Sequence, residues 1–135
     1  MQLVPYLNFN GQCESAFKFY AEALDGKITA MAPFGDTPGS SMPAELKSRI
    51  MHARLEAGSA VLMGADTPPD QPVHPQGMSV SLHFDTPAEA DRVFGALADG
   101  GNVTMPIQQT FFATRFGMLV DRFAIPWLVV CEAAA

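Results

Sequence analysis

Basic residues are scarce in this chain. Eight Lys and Arg stand against fourteen Asp and Glu, a net charge of −6, and such a surface repels phosphate backbones and anionic membrane surfaces. No nucleic-acid partner and no membrane partner are expected. Long apolar runs are also missing: nothing approaches the roughly 18 residues of a membrane span. The opening segment MQLVPYLNFNG has neither the basic start nor the apolar stretch of a secretion signal, so a cytoplasmic location is expected. There are only two cysteines, Cys13 and Cys131. Two so far apart make neither a disulfide framework nor a paired-cysteine metal knuckle, and both are expected as buried, small apolar side chains. Neither GxxxxGK[ST] nor a GxGxxG after a strand occurs, which removes the usual nucleotide sites. Low-complexity tracts and runs of like charge are absent too, so disorder is not the default.

What remains is a chain of 135 residues with 48% hydrophobic side chains, enough for one buried core. Its clearest local signal is TPAEADRVFGALADGG at 86–101. Thr86 as N-cap, Pro87 at the first helical position and Glu89 three residues after the cap predict a helix, which the Gly100-Gly101 pair ends. Ala90, Val93, Phe94 and Leu97 give it one apolar face. Before it, MSVSLHFD at 78–85 alternates with the period of a strand. Strands are predicted after it at 102–107, 115–122 and 125–132.

The order β-α-β-β-β is matched upstream. Shifted by 75 positions, Leu82 falls on Leu7, Phe84 on Phe9, Glu89 on Glu14, Phe94 on Phe19, Ala96 on Ala21, Gly101 on Gly26 and Thr104 on Thr29. A fixed offset across strand, helix and next strand marks a duplicated unit. The first copy then reads as strand 3–9, helix 12–24, strand 27–34, a loop through 35–45, and strands 50–56 and 59–64. The modules span about 1–64 and 78–135, with a Pro-rich linker at 65–77. One such unit leaves a sheet face uncovered, so the two are expected to pack on each other.

VPYLNFNG with AFKFYAEALDG, then LHFDTPAEADRVFGALADGG, then FGMLVDRFAIPWLVV resemble the PhnB-like subgroup of the vicinal-oxygen-chelate superfamily, which includes glyoxalase, bleomycin-resistance proteins and dioxygenases. In the last segment Phe116, Gly117, Asp121, Phe123 and Trp127 match, and Ala124 stands where a glycine is usual. The resemblance implies an α+β fold of two tandem βαβββ modules, the glyoxalase/bleomycin-resistance fold. Its mixed sheet curls into a cup around a small-molecule cavity, with the helices packed outside and a tendency to form homodimers. Metal-using relatives place ligands on the first and last strand of each module. The corresponding positions are at or beside Val4, Leu62, Ser79 and Leu128, none of which is a metal donor. No metal and no cofactor are therefore expected. Members of the subgroup carry a 3-demethylubiquinone methyltransferase label, but the usual S-adenosylmethionine site needs a Gly-rich strand-to-helix turn and a longer α/β sheet than two βαβββ units offer.

Strand alternation sends Ser81 and His83, and by the repeat Tyr6 and Asn8, to the face away from the apolar core. These four are the candidate cavity residues, and His83 is a candidate general base or hydrogen-bonding group. His52, Arg54 and Glu56 share a strand face, read as a water-facing charge ladder. Asp66 and Asp70 are read as turn formers, His74 as a solvated loop residue, and Trp127 as core. Asp121 is read as an acceptor of backbone N–H groups. Two functions follow: metal-independent binding of an unknown small molecule in the cup, or a lyase or isomerase acting on a small carbonyl or phosphonate-like compound, with a metal at a displaced site built from His52, His83 and acidic neighbours.

Overall fold

A computed structural model describes residues 1–36, 42–71 and 73–132. Part of the loop read at 35–45 and Pro72 of the Pro-rich segment lie outside the described residues. The chain divides into two compact units, Met1–Val73 and His74–Ala135. The first holds β1 (Tyr6–Phe9), α1 (Cys13–Ala23), β2 (Lys27–Pro33), β3 (Ile50–Ala57) and β4 (Ala60–Asp66); the second holds β5 (Val80–Phe84), α2 (Pro87–Ala98), β6 (Asn102–Gln108), β7 (Ala113–Val120) and β8 (Pro126–Glu132). Each unit forms its own four-stranded mixed sheet, in the orders β1-β4-β3-β2 and β5-β8-β7-β6. The first strand of each runs parallel to the last, and the other pairings are antiparallel. This is the α+β architecture of two βαβββ modules that the duplication predicts.

Differences from the sequence reading are local. The strand expected from residue 3 begins at Tyr6; Pro5 before it has no N–H for the ladder, although its carbonyl accepts from Met63 N at 3.0 Å. β4 continues through Ala65 and Asp66. The late hairpin turns earlier than expected: β7 ends at Val120 because Asp121 closes the turn, with Ala124 at φ +70°. The segment between β2 and β3 contains two short 3-10 turns, Phe34–Asp36 and Ala44–Leu46.

The repeat is exact at the second strand and slips in the helix. In both sheets the register breaks at the same place, between Ile28 and Ala30 and between Val103 and Met105, leaving Thr29 and Thr104 as the extra residues of matching bulges. Gly26 and Gly101 precede those strands, and a Cβ there would lie 2.9 Å from the Glu56 carbonyl oxygen and 2.4 Å from that of Val120. Both glycines are required by the same close approach to the end of the third strand. The helices match differently. α1 buries Cys13, Ala16, Phe17 and Tyr20, and α2 buries Ala90, Val93, Phe94 and Leu97. Phe94 is thus equivalent in packing to Phe17 and not to Phe19, so the matches of Glu89, Phe94 and Ala96 with Glu14, Phe19 and Ala21 do not mark equivalent places. The strand-to-helix connection is one residue shorter in the second unit and α2 is one residue longer than α1, while the helix-to-strand connections are equal in length.

Each helix covers one face of its sheet. Phe17 lies over Gly64 of β4, where a Cβ would meet its ring at 2.8 Å, and Phe94 lies over Gly117 of β7, where the distance would be 2.6 Å. Leu55 and Leu62 in the first unit and Leu119, Trp127 and Val129 in the second complete these cores. Cys13 and Cys131 are buried and unpaired, as their number and spacing suggested.

The two cores are closed by buried carboxylates. Asp121, 3% exposed, accepts from Phe123 N at 2.7 Å and Ile125 N at 3.1 Å through one oxygen, and from the Trp127 indole at 2.8 Å through the other. Its expected role in the turn is what the structure shows. Asp66, 5% exposed, accepts from Gly11 N at 2.8 Å and Cys13 N at 3.0 Å, and from Ile50 N at 2.8 Å. It is therefore not the simple turn former expected but the cap of α1, whose local N-cap position, Gln12, makes no side-chain bond. α2 is capped locally, as predicted, by Thr86 accepting from Glu89 N at 3.3 Å.

Candidate functional site

With one sheet face under the helix, the opposite face of each sheet is where polar strand residues collect. In the first unit the pairing register puts Tyr6 of β1 beside Met63 of β4, and Met63 beside Arg54 of β3. Tyr6, Asn8, His52, Arg54 and Glu56 share this helix-free face with Met63 and Ala65. Tyr6 stacks on His52 with ring centroids 6.1 Å apart and planes 28° apart, and its hydroxyl lies 3.4 Å from His52 Nδ1. Partial burial, followed by the charge of Cys13, raises the phenol above its ordinary 10.0, so Tyr6 is a hydrogen-bonding group and not a phenolate base. His52 is not part of a cross-strand charge ladder: Arg54 turns to Glu56 on its own strand at 3.4 Å, leaving the imidazole against Tyr6.

In the second unit Ser81 and His83 of β5 lie opposite Leu128 and Val130 of β8, which in turn pair with Met118 and Phe116 of β7. Ser81 Oγ and His83 Nε2 are 2.8 Å apart, and Glu132 Oε1 lies 3.8 Å from His83 Nδ1. Glu132 was absent from the sequence candidates. Its signal was its place two residues beyond the partner of His83 on the neighbouring strand, which only the register reveals. Phe112 packs edge-on to Phe116 at 5.1 Å and to Phe111 at 5.2 Å, and Phe111 is 99% exposed.

The four candidate residues thus fall into two groups. Tyr6 and Asn8 belong to the first sheet, where His52 joins Tyr6; Ser81 and His83 belong to the second, where Glu132 joins them. The duplicated faces have also diverged. By register, Tyr6 corresponds to Ser81, Asn8 to His83, Met63 to Leu128, Arg54 to Met118 and His52 to Phe116. The first face carries charge in its middle strands, whereas the second is apolar there and polar only at its edge. Among the other candidates, Trp127 is core at 1% exposure, His74 and Asp70 are exposed, and Arg115 and Arg122 bind Asp91 at 3.0 Å and Asp99 at 2.9 Å.

The register places Met63, and not Leu62, at the last-strand position of the first helix-free face. Leu62 is buried on the helix side, and its neighbour Met63 is the last-strand residue on the helix-free face, equivalent to Leu128. The strand positions facing that way are therefore Tyr6 or Asn8 with Met63, and Ser81 or His83 with Leu128, a donor set that does not fit a divalent ion. Among the described residues no group of three or more His, Cys, Asp or Glu stands close enough to hold one. At the helix N-termini Asp66 already accepts from Cys13 N of α1 and Thr86 from Glu89 N of α2, so an anion there would meet a donor that is already taken. Among the described residues no helix is long and apolar enough to cross a membrane.

Comparison with known proteins agrees with this architecture. A family model described as 3-demethylubiquinone-9 3-methyltransferase matches residues 1–130. Protein YjdN of Escherichia coli is 30% identical over 96% of this chain and 94% of its own length. The crystal structure of protein PA1353 from Pseudomonas aeruginosa is 51% identical, with a TM-score of 0.89 and 98% of both chains covered. A putative 3-demethylubiquinone-9 3-methyltransferase, PhnB protein, from Bacillus cereus is 25% identical, with a TM-score of 0.78, covering 98% of this chain and 100% of its own. Glyoxalase/bleomycin-resistance and fosfomycin-resistance structures share the fold alone, at TM-scores of 0.63 and 0.65 with 16% and 9% identity. The chain belongs to the 3-demethylubiquinone-9 3-methyltransferase family, with a PhnB protein among its relatives, and its fold is that of the glyoxalase/bleomycin-resistance proteins.

Proposed function

We propose that this chain binds a small organic molecule, without a metal, on the helix-free faces of its sheets. The observation that carries the reading is the combination of a retained βαβββ framework with faces that hold hydrogen-bonding and aromatic groups where metal-using relatives hold ligands. Tyr6, Asn8 and His52 on one sheet, and Ser81 and His83 on the other, offer neutral donors, acceptors and flat surfaces. The second face adds an apolar floor of Leu128, Val130 and Met118. A ligand suited to these surfaces is an uncharged or weakly ionised compound with an aromatic or aliphatic part and a few polar substituents. The methyltransferase of the family description is not favoured, because neither strand-to-helix turn is free to hold a nucleoside cofactor in the usual way.

A thermal-shift screen of aromatic metabolites and antibiotics tests the reading. A ligand at 100 times its Kd stabilises the fold by about 2.7 kcal/mol. Tyr6→Ala or His83→Ala is expected to reduce the shift of a true ligand, and a diverse library giving none defeats the proposal. A homodimer belongs to the same proposal, supported by the exposed apolar side chains Val103, Met105 and Phe111; sedimentation showing only monomer at tens of micromolar removes it.

A further inference from the structure

We propose that Ser81 is an activated nucleophile that accepts acyl groups from small apolar esters, with His83 as its base and Glu132 as the residue that positions the imidazole. The inference deepens the small-molecule reading and relies on it only for the arrival of a ligand at this face. It rests on an ordered row of three side chains. Ser81 Oγ is 2.8 Å from His83 Nε2, and the Glu132 carboxylate approaches the other ring nitrogen, Nδ1, at 3.8 Å. Carboxylate at Nδ1 and hydroxyl at Nε2 is the order in which a base activates a serine. A negative charge beside Nδ1 favours the tautomer with its proton there, and Nε2 then has a lone pair to accept the Ser81 hydroxyl.

The framework holds this row in place. Ser81 and His83 are two residues apart on one strand, so their side chains rise from the same face. Glu132 comes from β8, two residues beyond Val130, the partner of His83. All three are exposed, which gives an ester access to Oγ. Beside the nucleophile the neighbouring strands present Leu128, Val130, Met118 and Phe116, which suits an apolar acyl or aryl group.

In the first step Ser81 Oγ adds to the ester carbonyl carbon while its proton passes to Nε2. The adduct collapses, the bond from carbon to the leaving oxygen breaks, and Nε2 returns the proton to that oxygen. The products are an acyl-serine and a free alcohol or phenol. Water then attacks the acyl group, gives its proton to Nε2, and releases the carboxylic acid as Oγ regains a proton. No electron acceptor or donor is needed. The three side chains supply no oxyanion donor of their own, so the esters expected to react are those with good leaving groups.

The test incubates the full chain at pH 8 with p-nitrophenyl butyrate and, separately, with an alkyl fluorophosphonate, and follows intact mass, modified peptides and the rate of nitrophenol release. One adduct per chain, on the peptide containing Ser81, is expected. Ser81→Ala abolishes it, and His83→Gln slows acylation at least 100-fold, within the usual span for general-base assistance. Glu132→Gln lowers the acylation rate constant with the half-saturating ester concentration unchanged, and Glu132→Asp recovers part of the loss. The replacements are on the surface, and unchanged melting temperatures confirm that each variant is folded. Adducts spread over other serines, or equal rates for the parent and His83→Gln, overturn the nucleophile. An unchanged acylation rate constant in Glu132→Gln overturns the role of Glu132. Absence of labelling together with a ligand-induced thermal shift defeats this proposal and leaves small-molecule binding standing, whereas labelling without any thermal shift does the reverse.

Discussion

Replacing Asp66 by alanine would leave the amides of Gly11, Cys13 and Ile50 pointing at a buried gap. Hydrogen bonds to a charged acceptor contribute about 1.5–3 kcal/mol each, and they are not additive. A loss of at least 3 kcal/mol in urea unfolding is therefore expected. Asp66→Asn, which keeps one carbonyl acceptor, should lose less. Cys13 lies beside the same carboxylate, and burial, then Asp66, then Glu14 push its thiol from 9.0 up to about 12. Below about pH 9 both folded and unfolded chains hold the proton. Between 9 and 12 only the folded chain does, so stability falls as pH rises through that window. Cys13→Ser should flatten the fall, and native Cys13 should resist iodoacetamide until the chain unfolds. Ala124 lies at φ +70°, in the left-handed region that favours glycine. A residue with a Cβ is disfavoured there by about 1–2 kcal/mol, so Ala124→Gly is expected to raise the melting temperature.

Glycines at the ends of elements show why some of the fold could be read from the sequence and some could not. Gly26 and Gly101 were visible as a matched pair, and the structure supplies the reason: each backbone presses on a carbonyl at the end of a third strand. Gly101→Ala, with a Cβ 2.4 Å from the Val120 oxygen, is expected to cost more than 2 kcal/mol, at the upper end for single substitutions. Alternation along β5 and the capping signal at Thr86 gave a strand face and a helix start, because both depend on neighbours in sequence. The Asp66 cap was hidden because its partners lie 16 to 55 residues away. Helix equivalence was misread through coincident residues, Phe19 with Phe94, while the buried faces follow Phe17 with Phe94. The choice between Leu62 and Met63 turned on a register that no single strand records. For the candidate site, alternation found Tyr6, Asn8, Ser81 and His83, and pairing across strands added His52 and Glu132.

At the level of the whole chain, duplication produced two frameworks with the same strand order and the same bulge, and substitution then gave their open faces different chemistry. If binding is the function, the two faces should select differently: His52→Ala or Tyr6→Ala should weaken a polar ligand held on the first face, and Met118→Ala or Phe116→Ala an apolar ligand held on the second. Calorimetry with one polar and one apolar ligand would separate these, and equal losses on both compounds would refute the division. The capping difference between the copies bears on the order of folding. The first turn of α2 closes with Thr86 and Glu89, three residues apart, and can form while the chain is still largely open. The first turn of α1 waits for Asp66, which is delivered only when β4 has paired with β1. Thr86→Ala should therefore slow refolding, and Asp66→Ala should chiefly hasten unfolding, so that two copies of one ancestral unit no longer reach their common shape by the same route.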